Sequence, residues 1–233
     1  MKIGSITEYG NFAFTGKSYL NRVFGWMGLG LALTSLISYL VYFTPEIVEL
    51  FIAKNAVTGL GFLFLFLPLG FLLLTFKKIN GFSYVSLIFI FLLYSAIMGI
   101  SQSVLFLAYS NQSIHCTFNA VALMFSALGL IGYVTKSSSV KTANFSRMVI
   151  SGIIIAVLLN VFVKNDSLSM VISFVCVVSF GAVTVWNIKD MENLAEEATS
   201  TPELNSKLGI LGALMLYLNF INVFLFARKI FRI

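Results

Sequence analysis

Apolar runs, each about as long as one membrane crossing, alternate along this chain with short polar interruptions. They occupy 23–43, 56–76, 84–107, 116–134, 148–163, 168–188 and 208–227. A hydrocarbon core about 30 Å thick takes about 20 apolar residues per helix. Backbone groups in lipid can pair only within their own structure, so each run predicts a transmembrane α-helix. The expected fold is an all-α integral membrane protein, a seven transmembrane helix bundle over 23–233 preceded by an N-terminal tail at 1–22. Only Lys164, Asn165, Asp166 and Ser167 separate the fifth and sixth runs, which predicts an antiparallel hairpin. Thr44, Pro45 and Glu46 offer a cap, a proline at the first helical position and an acid at a helix N-terminus. They predict a short interfacial helix in the first external loop. Ser200 and Glu203 have capping-box spacing and open the approach to the last span. One substantial loop is expected, at about 189–207, holding Asp190, Glu192, Glu196, Glu197 and Glu203 of the nine acids in the chain.

Composition supports lipid as the solvent. Of 233 residues 59% are hydrophobic and 10% charged, with a mean hydropathy of +0.97. Soluble domains carry about 45–50% apolar and about 25% charged residues, and a chain this size could not bury the excess in water. The net charge of +6 comes from basic residues scattered singly between apolar runs. That is loop chemistry, and no nucleic-acid partner is expected. Cys116 and Cys176 are too few for a disulfide framework. The first 22 residues mix polar and aromatic side chains and do not read as a secretory signal.

Lys and Arg counts set the orientation. With a cytoplasmic N-terminus, that side collects Lys2, Lys17, Arg22, Lys77, Lys78, Lys136, Lys141, Arg147, Lys189 and Lys207. The opposite side collects Lys54, Lys164, Arg228, Lys229 and Arg232. The basic tail opposes this arrangement and leaves a re-entrant last segment as the alternative to seven full spans, which the other charges favour.

No Asp, Glu, Lys or Arg lies well inside the seven runs, although ion pumps and exchangers usually need one there. The interior polar groups are amides and hydroxyls: Gln102 with Ser101 and Ser103, Asn119, Asn160, Asn187, Asn219 and Asn222. Each is costly against lipid and should face inward. Two readings are open, hydrogen bonding between helices and the lining of a conduction path. Gly152 with Ala156, and Gly209 with Ala213, are small pairs suited to close helix packing. Catalysis is not expected. The one histidine, His115, stands beside Cys116 with no further ligand, and the chain lacks HExxH, GxSxG and a glycine-rich phosphate loop. No metal site and no cofactor are predicted.

Several stretches in order resemble the Bax inhibitor-1 family, in its bacterial type. They are SAIMGISQS (95–103), ALGLIGYVTK (127–136), GIIIAVLLNVF (152–162), SFGAVTVWNIKDM (179–191) and LYLNFINVFLF (216–226). The resemblance runs from about residue 22 to the end. It implies a seven-helix bundle with the last helix central, in the cell inner membrane. It also implies either a slow, pH-sensitive calcium or cation leak, or regulation through partners such as a membrane protease or other membrane protein. In the family the leak relies on two aspartates that share a proton when closed and part when ionised.

This chain departs from that pattern at both positions. It has Trp186-Asn187 where the family has Tyr-Asp, and Leu218-Asn219-Phe220 where the family has Leu-Asp-Phe. Two amides can still hydrogen-bond, but they do not titrate near neutrality and offer a divalent cation only neutral oxygens. Asn187, Asn219 and Asn222 are the expected pore or dyad-equivalent residues, with Gln102 and Asn160 as polar interior. Asp190, one turn beyond Asn187, is the candidate displaced carboxylate, and the other reading is a solvated residue opening the acidic loop. Two functions follow: a passive leak whose proton switch is lost, or a non-conducting regulator acting through the N-terminal tail and the acidic loop.

Overall fold

A computed structural model of the chain describes residues 16–53, 56–61, 63, 67–68, 70–71, 81–108, 111–134, 152, 155, 166–197 and 202–230. Its helices are α1 (Gly16–Tyr42), α2 (Pro45–Phe51), α3 (Tyr84–Ala108), α4 (Asn111–Val134), α5 (Asp166–Glu197) and α6 (Pro202–Ile230). Five of them are long and apolar enough to cross a membrane: Tyr19–Tyr42, Tyr84–Ser103, Gln112–Ile131, Asp166–Met191 and Ser206–Ile230. Large apolar side chains such as Phe89, Leu123 and Phe174 stand exposed on their outer sides, as lipid contact requires. The protein is therefore a multi-pass helical membrane protein.

The expected first, third, fourth, sixth and seventh spans coincide with these five helices. About half of the second, and almost all of the fifth, lie outside the described residues; of the fifth only Gly152 and Ile155 are described, both helical and exposed. Asn160 and Ala156 also lie outside them.

Four local expectations need correction. Asn119 does not face inward but stands exposed on α4, whose buried stripe is Ser113, Thr117, Val121 and Phe125. Thr44 does not cap α2 with its side chain, because its hydroxyl turns back to the Leu40 carbonyl at 2.8 Å. The Thr44 carbonyl instead accepts from the Ile47 and Val48 amides at 3.0 and 3.2 Å, while Pro45 and Glu46 occupy the first turn as expected. The second run does not start as helix. Ala56–Val57 (β2) pairs antiparallel with Ile52–Ala53 (β1), Ile52 opposite Val57, so the fold includes one two-residue ladder. Helix resumes at Gly59, where Thr58 Oγ1 accepts the Gly61 amide at 3.1 Å, as an N-cap threonine does. The acidic loop at 189–207 is mostly helix: α5 runs to Glu197 and α6 begins at Pro202. Glu, Lys, Leu and Ala are strong helix formers, and Pro202 is suited to a first helical position.

Contacts fix the direction of each long helix. Tyr19 OH donates to the Leu208 carbonyl at 2.9 Å, and Thr34 meets Tyr217 further along both helices, so α1 and α6 run parallel. Gly30 lies against Phe91 and Gly99 against Ile37, so α1 and α3 are also parallel. Phe118 meets Phe224 and Phe125 meets Phe220, which makes α4 antiparallel to α6. Phe180 stacks on Phe226 and Met191 lies against Gly212, which makes α5 antiparallel to α6.

Helix α6 touches each of the other four long helices. It is 61% buried over its apolar window, against 22–33% for the others. Glycines permit the closest approaches. A Cβ at Gly212 would stand 3.0 Å from Met191 Sδ and 3.2 Å from Tyr19 OH. Between α1 and α3 a Cβ at Gly99 would stand 2.8 Å from both the Thr34 carbonyl oxygen and Ile37 Cβ. Backbone cannot yield there as a flexible side chain can. Gly99→Ala should therefore destabilise the bundle by about 1–3 kcal/mol, seen as a lower unfolding midpoint in detergent. Gly28→Ala, where an added Cβ meets nothing within 4 Å, should not lower the midpoint and should raise it slightly, since alanine favours helix over glycine.

Candidate functional site

The resemblance directs attention to the seam between α5 and α6. Phe180 and Phe226 stack across it with ring centroids 6.3 Å apart. Asn187 lies seven residues beyond Phe180, and Asn219 seven before Phe226. Because the helices are antiparallel, both steps lead the same way. Seven residues make about two turns, so Asn187 and Asn219 stand at one level on adjoining faces.

They do not hydrogen-bond to each other. Asn219 is 6% exposed and its Nδ2 has no partner, while Asn187 is half-buried. The neighbours on α5 explain the difference. Val183, Thr184, Ile188 and Met191 fill the buried stripe, and the Thr184 hydroxyl is turned to the Phe180 carbonyl at 2.7 Å. Ile188, not Asn187, holds the central position, and Asn187 is set on its flank. Asn222, one turn beyond Asn219, is half-buried. Asp190 is also half-buried, in helical backbone with Lys189 beside it, and does not open a loop.

A hydroxyl hub lies behind Asn219. Thr34 Oγ1 is 2.9 Å from the carbonyl oxygens of both Gly30 and Ser95 and 2.7 Å from Tyr217 OH. Carbonyls only accept, so the Thr34 proton is directed to them and Tyr217 donates to the Thr34 oxygen. Phe91 and Tyr94 present T-shaped contacts to the Tyr217 ring at 5.8 and 5.9 Å. The hub joins α1, α3 and α6 and fixes the rotation of α6 about its axis, hence the direction of Asn219.

Further along the same helices a cavity of about 340 Å³ opens between α1, α3, α4 and α6. Gln102 and Ser38 line it, 7% and 1% exposed, and neither the Gln102 amide atoms nor Ser38 Oγ has a hydrogen-bond partner. His115 stands at its edge, exposed. Among the described residues no three His, Cys, Asp or Glu side chains come together as a metal site would require. Thr34, Ser38 and Tyr217 do not stand out in a reading confined to interior amides. The available signal was Gly30, Thr34 and Ser38, one small or hydroxyl-bearing residue per turn on a single face of α1.

A family model described as Inhibitor of apoptosis-promoting Bax1 matches residues 16–233. The chain is 33% identical over 216 residues to the inner membrane protein YbhL of Escherichia coli, covering 92% of this chain and 91% of that one. It is 32% identical over 213 residues to a protein of Rickettsia prowazekii, covering 91% and 88%. It is 28% identical over 213 residues to a protein of Borreliella burgdorferi, covering 91% and 90%.

Proposed function

The chain belongs to the family of Bax1 inhibitors, and on that premise we propose that it is a non-catalytic inner membrane protein that leaks calcium or another cation slowly and without a proton switch. The observation that carries this reading is Asn219. An amide with an unsatisfied Nδ2 is buried in the most buried helix, level with Asn187, where the resemblance places a proton-sharing carboxylate pair. Neutral oxygens attract a divalent cation weakly, so conduction through Asn187, Asn219 and Asn222 is slow and unresponsive near neutral pH. Calcium-sensitive dye inside liposomes carrying the pure protein tests this at about pH 6 and about pH 8. A small, equal flux at both supports it, and a steep pH response overturns it.

The second reading is a non-conducting regulator of a membrane protease or other membrane complex. It is favoured by Asn187 and Asn219, whose neutral amides give a cation no charged ligand in the seam. Absence of any flux above that of empty liposomes selects this reading.

The proposed architecture is a seven-span bundle with α6 at its centre and a cytoplasmic N-terminus. Helix directions support it. Successive spans alternate in direction, yet α1 and α3 are parallel, and α4 and α5 both oppose α6. One crossing is needed between α1 and α3 and another between α4 and α5, where the apolar runs 56–76 and 148–163 lie. The antiparallel pairing of α5 and α6 favours a full last span over a re-entrant one. Reporter fusions should therefore place the N-terminus in the cytoplasm and the C-terminus outside; a cytoplasmic C-terminus would remove one crossing.

A further inference from the structure

We propose that the cavity between α1, α3, α4 and α6 is a binding site for a neutral amphiphile whose head is a carboxamide or similar donor–acceptor group. This inference is independent of whether the protein conducts ions. Gln102 presents both a donor and an acceptor without partners, and Ser38 adds a third unpartnered polar atom, all within one cavity. A buried amide left unsatisfied is costly, and a ligand that offers one acceptor and one donor removes that cost. Among the described residues the cavity is lined by no Asp, Glu, Lys or Arg, and its one histidine, His115, stands exposed at the edge away from the buried amide, so a neutral head fits Gln102 and Ser38.

The rest of the wall sets the body of the ligand. Phe118, Phe220 and Phe224 form an apolar side, and Tyr39 and Phe43 stand exposed at the end of α1, Phe43 at 62%. The polar atoms are buried but lie within about a turn of the aromatic mouth at the end of α1, since Gly99 on α3 stands against Ile37 and Gln102 lies one turn further on. A neutral amphiphile enters from that leaflet, its amide on Gln102 and Ser38 and its chain along the rings. Phe220 and Ile221 follow Asn219 directly, so an occupied cavity also braces the α6 segment that carries the buried amide.

The full-length protein in phosphatidylcholine nanodiscs provides the test, with dodecanamide bearing a tail diazirine as the probe and plain dodecanamide as competitor. Labelling should be saturable, competed, and confined to peptides containing Phe118 or Phe224. Gln102→Leu should raise the half-saturating concentration about tenfold, the loss of about one hydrogen bond. Its thermal midpoint without amide should be no lower than that of the parent, because leucine removes two unsatisfied groups. Non-saturable labelling, labelling elsewhere, or labelling unchanged in Gln102→Leu overturns the proposal. So does a lowered midpoint of that variant without amide, which would mean that water already satisfies Gln102.

Discussion

Replacing Asn187 and Asn219 together by aspartate should give a protein whose calcium flux rises steeply between about pH 6 and about pH 8, where the parent's is expected to stay flat. The two positions stand level on adjoining faces of α5 and α6, and Asn219 is buried. Two carboxylates level with each other across this seam should repel when both are ionised, so they are expected to titrate as a pair with one apparent pKa raised toward neutrality. Below that value they hold one proton between them and the helices stay together. As pH rises through it the second charge appears, repulsion opposes the closed seam, and the closed state loses its advantage. The sign is therefore more flux at higher pH. Asn187→Asp or Asn219→Asp alone should respond less, because a lone carboxylate has only burial to raise its pKa. Asp190 and Lys189 lie one turn or less from Asn187 and are common to every variant, so they cancel in the comparison. Dye-loaded liposomes over a pH series decide it. A double variant as flat as the parent would show that the seam does not couple the two positions.

Removing the Tyr217 side chain should have the largest effect on stability. Tyr217 is fully buried, the largest such side chain in the core, with Phe91 and Tyr94 against its ring and Thr34 at its hydroxyl. Tyr217→Ala leaves a cavity at the junction of α1, α3 and α6 and should cost about 3–5 kcal/mol. The lower end is expected, since lipid tails solvate apolar atoms well and the lost packing must account for most of the change. Tyr217→Phe keeps the ring and should cost only about 1 kcal/mol, because Thr34 retains its two carbonyl partners. Unfolding of both variants in mixed detergent measures the difference. Equal losses would assign the role to the hydroxyl, and two small losses would mean that α6 is held elsewhere.

Local pattern alone located five long helices, because a chain in lipid has to close its own backbone hydrogen bonds and an apolar run of sufficient length has one way to do so. It was less successful where polarity rose. Residues 189–197, rich in acids, look like a loop by hydropathy but continue α5, since helix propensity and not apolarity governs that stretch. At 56–57 a two-residue ladder replaced the start of a span, because the Ile52–Val57 pairing is set by a partner segment, not by the run itself.

The site was legible to the level of residue type and not of direction. That Asn187, Asn219 and Gln102 are interior amides follows from their positions in apolar runs. Which way each points does not, because a helix apolar on all sides carries little sign of which side meets its neighbours. Tertiary packing decided it. Gly99 brings α3 onto α1 at Thr34, and Tyr217 binds that same Thr34. This rotation buries Asn219 and Gln102 without partners, while Ile188 takes the core position and leaves Asn187 on its flank. The sequence by itself determined a helical membrane protein whose apolar runs carry no charge well inside them. Only the three-helix junction at Thr34, formed by residues far apart in the chain, determined which of its amides are left unsatisfied inside.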